Sequence, residues 1–145
     1  METLYTLFQS STGVETDTRK IRKGCLFFCL KGANFDGNTF ADEAIKLGAL
    51  AAVIDNAQFH IEGKTILVED TLLTLQNLAR YHRNRFRIPV IGITGSNGKT
   101  TSKELIATVL ATQLRVHFTQ GNFNNHIGEI GRASCRKECR SRWSP

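Results

Sequence analysis

No stretch of this sequence approaches the roughly 18 consecutive apolar residues that a bilayer-spanning helix requires. The first residues also lack the basic segment and apolar core of a secretory signal, so a cytoplasmic protein without membrane insertion is the expectation. A basic stripe with interleaved aromatics, the footprint of nucleic-acid binding, is missing too. The formal net charge is +6, but residues 1–128 carry 14 Lys+Arg against 11 Asp+Glu, and the last 17 residues carry 5 against 2. Half of the excess therefore sits in a short tail. Arg80, Arg83, Arg85 and Arg87 read as a solvated helix end, and nucleic acid is not an expected partner. Cysteine gives no metal or disulfide pattern either. Cys25 and Cys29 lie in an apolar run read as a strand, where residues four apart stand roughly 13 Å from each other. That is too far to bridge or to share a metal, so they read as buried small hydrophobes. Cys135 and Cys139 fall in the tail and are assigned nothing.

What is present is an ordinary globular composition. Apolar residues make up 41% of the 145 and charged residues 22%, so a packed core is expected and wholesale disorder is not. The length allows one domain, or one small domain plus part of another. Two regions meet near residues 85–89. In the first, apolar runs at 25–30, 51–55 and 65–68 are short, bounded by turn residues and consistent with buried strands. Between the first two, Phe40, Ala41, Ala44, Ile45 and Gly48 repeat at helical spacing. After the third, Asp70 is placed to cap a helix whose inner stripe is Leu72, Leu75, Ala79, His82 and Phe86. Alternating strands and helices predict α/β layers, with the sheet order left open.

The second region opens with a buried strand at 89–93. A helix follows over about 100–114, with Leu105, Ile106, Val109, Leu110 and Leu114 on one face, and 115–119 reads as the next strand. This is one βαβ unit, the opening of a parallel sheet and too little to cover both its faces. The tail, 129–145, shows no apolar periodicity and is dominated by Arg, Ser, Cys and Lys.

Between the strand and helix of the second region runs Ile91-Gly92-Ile93-Thr94-Gly95-Ser96-Asn97-Gly98-Lys99-Thr100-Thr101. Chemistry that holds a nucleoside triphosphate needs this order of parts. Glycines let backbone N–H groups close around phosphate oxygens, a lysine offsets their charge, a threonine hydroxyl reaches Mg²⁺, and a helix N-terminus adds the positive end of its dipole. The generic pattern G-x-x-x-x-G-K-[ST] fails by one residue, because position 93 is Ile93 and the glycines stand at 92 and 95. A plain Gly-rich turn that binds nothing is the alternative. Such a turn has no need of the Lys-Thr pair after its last glycine.

Thr94-Gly95-Ser96-Asn97-Gly98-Lys99-Thr100-Thr101 resembles the ATP loop of the Mur ligases, the amide-forming enzymes of peptidoglycan precursor synthesis. Folylpolyglutamate synthases carry the same loop but lack the domain that the first region resembles. There, Asp17-Thr18-Arg19, Gly24-Cys25-Leu26-Phe27-Phe28, Lys31-Gly32 and Asp36-Gly37 resemble the UDP-binding N-terminal domain of two Mur branches. Farther on, Thr119-Gln120-Gly121-Asn122-Phe123-Asn124-Asn125-His126-Ile127-Gly128 resembles a G-N-x-N-N-x-I-G segment of the branch that adds D-alanyl-D-alanine. The resemblance runs through 1–128 and stops abruptly, so 129–145 reads as sequence foreign to the family. It implies a UDP-precursor-binding α/β domain at 1–87, then at 88–128 the first βαβ unit of a P-loop, Rossmann-like ATPase domain. The rest of that domain, with its Mg²⁺-binding glutamate and carbamylated lysine, and a C-terminal domain are absent, so this chain alone is expected to be inactive.

The chemistry implied is ATP-dependent. ATP phosphorylates the terminal carboxylate of a UDP-MurNAc-tripeptide, and the amine of D-alanyl-D-alanine attacks the acyl phosphate and releases phosphate. Gly95, Ser96, Asn97, Gly98, Lys99, Thr100 and Thr101 are the implied ATP-binding residues, with Lys99 against the β/γ-phosphates and Thr100 toward Mg²⁺. Thr18, Arg19, Gly32, Asn34, Phe35, Asp36 and Gly37 are implied at the UDP moiety, although Asp17 and Arg19 also read as a local ion pair. Asn122, Asn124, Asn125 and His126 follow a predicted strand end and are expected to face the same crevice; an Asn-rich turn is the other reading. His60, His82 and His117 read as surface, helix and strand residues. A monomer is expected. The alternatives are the branch that adds a single amino acid, a nucleotide-binding module without ligase activity, and a UDP-sugar-binding protein.

Overall fold

A computed structural model describes residues 1–118. Helix α1 (Glu2–Ser10) leads into strand β1 (Val14–Glu15) and a short 3₁₀ turn at Thr18–Lys20. Strand β2 (Leu26–Phe28), a 3₁₀ turn at Gly37–Phe40, helix α2 (Ala41–Lys46), strand β3 (Ala51–Ile54) and strand β4 (Thr65–Leu67) follow. A 3₁₀ turn at Ala57–Phe59 lies between β3 and β4, and helix α3 (Thr71–Arg83) and helix α4 (Lys99–Ala111) complete the described elements. The four strands form one parallel sheet in the order β1-β2-β3-β4. Its register pairs Val14 with Leu26, Leu26 with Ala51, and Ala52 with Thr65.

Parallel strands linked by helices are covered on both faces, so they read as continuous apolar runs. Successive side chains point to opposite sides, and β2 divides its residues accordingly. Leu26 and Phe28 pack with Val53 against Leu4, Tyr5 and Phe8 of α1 and Leu75 and Leu78 of α3. Cys25, Phe27 and Cys29 pack with Ala52 and Ile54 against Ala41 and Ala44 of α2. Both cysteines are free and fully buried, and burial pushes the Cys29 thiol up to about 12. They are packing residues, as expected.

The three sequence runs thus become the three longer strands, but β4, at the sheet edge, is only partly buried, with Leu67 51% exposed. Asp70 caps α3 by accepting a 2.7 Å bond from Leu73 N. Of the arginines at the end of α3, Arg80, Arg85 and Arg87 are exposed, in keeping with a solvated helix end, and two make local contacts. Arg83 donates to the carbonyls of Phe86 and Ile88 at 2.7 and 2.9 Å, and Arg85 lies over the rings of Tyr81 and Tyr5. His82 is buried between α1 and α3, 3.2 Å from the Tyr5 hydroxyl.

The second region departs from expectation. Helix α4 forms, but neither 89–93 nor 115–118 is a strand. Val90 is 69% exposed and Ile91 59%. A strand is a paired structure whose N–H and C=O groups need a neighbouring chain, and among the described residues none pairs with these segments. For the same reason the apolar face expected on α4 is open: Leu105, Ile106, Val109 and Leu114 are exposed, and Ala107 is the helix's buried residue. Among the described residues no helix is long and apolar enough to cross a membrane.

Candidate functional site

The Gly-rich loop ends on Gly98, whose φ of 75° and ψ of 0° lie in the left-handed region that favours glycine. This conformation turns the chain directly into α4, and Ser102 N closes the first helical turn on Gly98 O at 2.9 Å. The cap offers no side-chain acceptor to the first-turn amides. Ordinarily an Asp, Ser or Asn would occupy that place, as Asp70 does on α3. The start of α4 is thus a helix N-terminus reached through a glycine turn, and its dipole end favours an anion.

Lys99 folds back over the loop, its Nζ donating to Gly95 O and, at 3.2 Å, to Ser96 O. The ammonium thus lies across the loop. Ser96, Asn97, Gly98, Thr100 and Thr101 are exposed, with the two threonines on the first turn of α4. This set suits a polyphosphate: one cation, a glycine turn and hydroxyls at a helix start. Among the described residues no group of three or more His, Cys, Asp or Glu is placed to hold a metal ion.

A second constellation stands at the carboxyl edge of the sheet, where open α/β folds bind ligands. Thr18 and Arg19 follow the end of β1, and Gly32, Asn34, Phe35, Asp36 and Gly37 follow the end of the neighbouring β2. Arg19 Nε and Nη2 reach Asp17 at 2.9 and 2.7 Å, which holds the Asp17 carboxyl down at about 2. The local ion pair is formed, and it presents the guanidinium on the surface.

After β2 the chain makes a tight turn. Lys31 and Asp36 form an antiparallel bridge, Gly32 N donates to Phe35 O and Gly37 N to Leu30 O, each at 3.0 Å. A Cβ on Gly37 would lie 2.2 Å from Leu30 O, so only glycine fits there. The Phe35 ring lies over Gly32, where a Cβ would fall 2.1 Å from Cε1, yet the residue is 59% exposed.

Three residues beneath this turn escaped sequence reasoning. Asn38 is fully buried, and its Nδ2 donates to Asp36 Oδ1 at 2.6 Å and Asp55 Oδ1 at 2.8 Å. Its Oδ1 accepts from Asp55 N at 3.0 Å. Thr71 Oγ1 contacts Cys29 O at 3.1 Å and Asp55 Oδ2 at 3.4 Å, and Lys31 Nζ pairs with Asp55 Oδ1 at 2.8 Å. Burial alone would raise the Asp55 carboxyl, but the bonds from Lys31 and Asn38 outweigh it and hold it below the ordinary range. The Asp17-Thr18-Arg19 pattern has local signals; Asn38, Asp55 and Thr71 meet only through the fold. Asn122, Asn124, Asn125 and His126, like the tail 129–145, lie outside the described residues.

Comparison with known proteins matches this architecture. A family profile described as "Mur ligase family, catalytic domain" matches residues 10–93, and one described as "Mur ligase middle domain" matches 93–132. The chain is 50% identical over 121 residues to the UDP-N-acetylmuramoyl-tripeptide--D-alanyl-D-alanine ligase of Bacillus subtilis (strain 168), covering 80% of this chain and 26% of that protein. It is 50% identical over 116 residues to the like-named ligase of Synechocystis sp. (strain ATCC 27184 / PCC 6803 / Kazusa), covering 78% and 25%. Its fold is similar to that of the MurF ligase from Thermotoga maritima, solved in complex with ADP. The TM-score is 0.77 at 33% identity, over 88% of this chain and 29% of that one. The chain thus spans about a quarter of the length of the curated relatives it matches.

Proposed function

The chain belongs to the Mur ligase family, and from that premise we propose that it is part of an ATP-dependent ligase joining D-alanyl-D-alanine to a UDP-MurNAc-tripeptide. Residues 1–87 are the unit that receives the uridine nucleotide, and residues 88–128 open the ATP-binding domain. Both curated relatives at 50% identity carry the name of that reaction, and the ADP-bound relative supports the nucleotide.

The reaction needs an activated acyl group. A substrate carboxylate oxygen attacks the γ-phosphorus of ATP and ADP departs; the amine then attacks the acyl carbon and phosphate leaves. The contribution of these residues is positional and electrostatic. Amides of Gly95 to Thr101 cradle the phosphates, and Lys99 exchanges its two carbonyl contacts for phosphate oxygens. Thr100 would offer its hydroxyl to Mg²⁺, an ion that would neutralise charge on the phosphates.

One observation carries this reading: a left-handed Gly98 opens a 13-residue helix without a side-chain cap, with an ammonium folded across the preceding loop. Calorimetric titration of the 145-residue chain with ATP tests it. Lys99→Ala is expected to weaken ATP binding by at least about tenfold with little change in unfolding midpoint, since losing a charge-assisted bond costs roughly 1.5–3 kcal/mol. Unchanged affinity would remove Lys99 from the site.

A further inference from the structure

We infer that Asn38, together with Asp55 and Thr71, is a positioning set that locks the turn after β2 and so fixes Phe35 as a stacking face for the base of the uridine nucleotide. This rests on the proposed uridine-nucleotide site of residues 1–87 and adds three residues beneath it, none of which touches the ligand. The turn has two ends, Lys31 and Asp36, and both are tied to one carboxylate. Lys31 reaches Asp55 directly at 2.8 Å, and Asp36 reaches it through the Asn38 amide, with contacts of 2.6 and 2.8 Å.

Asn38 is oriented without ambiguity. Both hydrogens of its amide nitrogen are committed to carboxylates and its oxygen accepts from Asp55 N, so the side chain has one arrangement that satisfies every group. Thr71, from the first turn of α3, supports the other oxygen of Asp55 and the carbonyl of Cys29, the residue after β2. A single buried amide thus joins the turn to the ends of two strands and, through Asp55, to a helix. Networks of this kind rigidify what they hold, and leaving one member unpaired is costly.

The benefit of that rigidity falls on Phe35. Its ring is seated on Gly32 and faces outward, a placement that buries little of its own apolar surface. An exposed aromatic face held at the carboxyl edge of a parallel sheet is suited to stacking on a flat, uncharged heterocycle. Without the lock the same ring is free to fold down or swing away, and the ligand must then bear the cost of ordering it.

The test is a double-mutant cycle on UDP affinity, measured by calorimetry on the full 145-residue chain and on Asn38→Ala, Phe35→Ala and the double variant. Each single change is expected to weaken UDP binding about tenfold, the size of losing one base–aromatic stack. The double variant is expected to be little weaker than either single one, because Asn38 acts through Phe35. Multiplicative losses, about a hundredfold in the double variant, would make Asn38 a residue of general stability only and overturn the inference. So would full UDP affinity in Asn38→Ala. If Asn38→Ala loses its native circular dichroism, Thr71→Val replaces it in the cycle and is read by the same criteria. Absence of UDP binding by the unmodified chain overturns the uridine-site reading itself, an outcome distinct from binding that proves additive.

Discussion

Phe28 and Leu105 are both large apolar residues in elements that the spacing of the sequence marks out, yet Phe28 is fully buried and Leu105 is 63% exposed. Phe28 lies in a strand with a neighbour on each side and helices over both faces. Leu105 lies on a helix whose flanking segments pair with no strand among the described residues. Local pattern decides that a helix forms; burial is a property of the assembled layers. The two regions also divide the chemistry. The packed sheet fixes a turn through buried hydrogen bonds, whereas the loop before α4 depends on backbone conformation and a single lysine.

The largest test of this contrast is truncation. Phe28→Ala is expected to cost about 3–5 kcal/mol by removing a side chain from a closed core, whereas Leu105→Ala should stay within about 0.5 kcal/mol. Urea unfolding of both variants measures the gap, and comparable losses would mean that α4 is packed as tightly as the sheet. Next come two glycines, Gly37 and Gly98. Gly37→Ala drives a Cβ onto the Leu30 carbonyl and is expected to cost on the order of 2–3 kcal/mol by overpacking. At Gly98 nothing lies within 4 Å of an added Cβ, so Gly98→Ala meets only the left-handed backbone term, about 1 kcal/mol. Thermal unfolding should rank them in that order.

A smaller effect compares the two helix starts. Asp70→Ala is expected to cost about 1 kcal/mol, because α3 loses its side-chain cap, while no side-chain substitution at the cap of α4 has an equivalent bond to lose. The smallest concerns the half-exposed Lys31 and its partner. The Asp55 carboxyl is held below its ordinary value in the folded protein, so its contribution is present above about pH 4 and is lost as pH falls through the folded value. Lys31→Met is therefore expected to lower the unfolding midpoint slightly at neutral pH, a small effect because the lysine is solvent-screened. The difference from the unmodified chain should shrink toward zero in acid, which unfolding midpoints from pH 7 down to 3 would reveal.

Much of this was legible before any coordinates. Apolar runs bounded by turn residues marked β2, β3 and β4, and Asp70 marked the start of α3, because each signal lies within a few residues. Helix α1 went unread, although Leu4, Tyr5 and Phe8 stand at helical spacing and become its buried face. Strand β1 is two residues long and has no period to detect. The glycine turn into α4 was legible because its residues, Gly95 to Thr101, are consecutive. By contrast, Asn38 and Asp55 are 17 positions apart, and Thr71 meets Cys29 across 42. Only the order of the strands brings them under one turn. The expectation of a buried strand at 89–93 misjudged the same dependence in reverse, since apolar residues make a strand only where another chain segment is there to pair with them.

The central claim is that the amides from Gly95 to Thr101 receive phosphate, and amide resonances report on it most directly. In ¹H–¹⁵N spectra of the 145-residue chain, ADP should shift the signals of Gly95, Ser96, Asn97, Gly98, Lys99, Thr100 and Thr101, and Lys99→Ala should suppress those shifts. Silence in that loop while ADP perturbs residues of the sheet's carboxyl edge, such as Arg19 or Phe35, would contradict it.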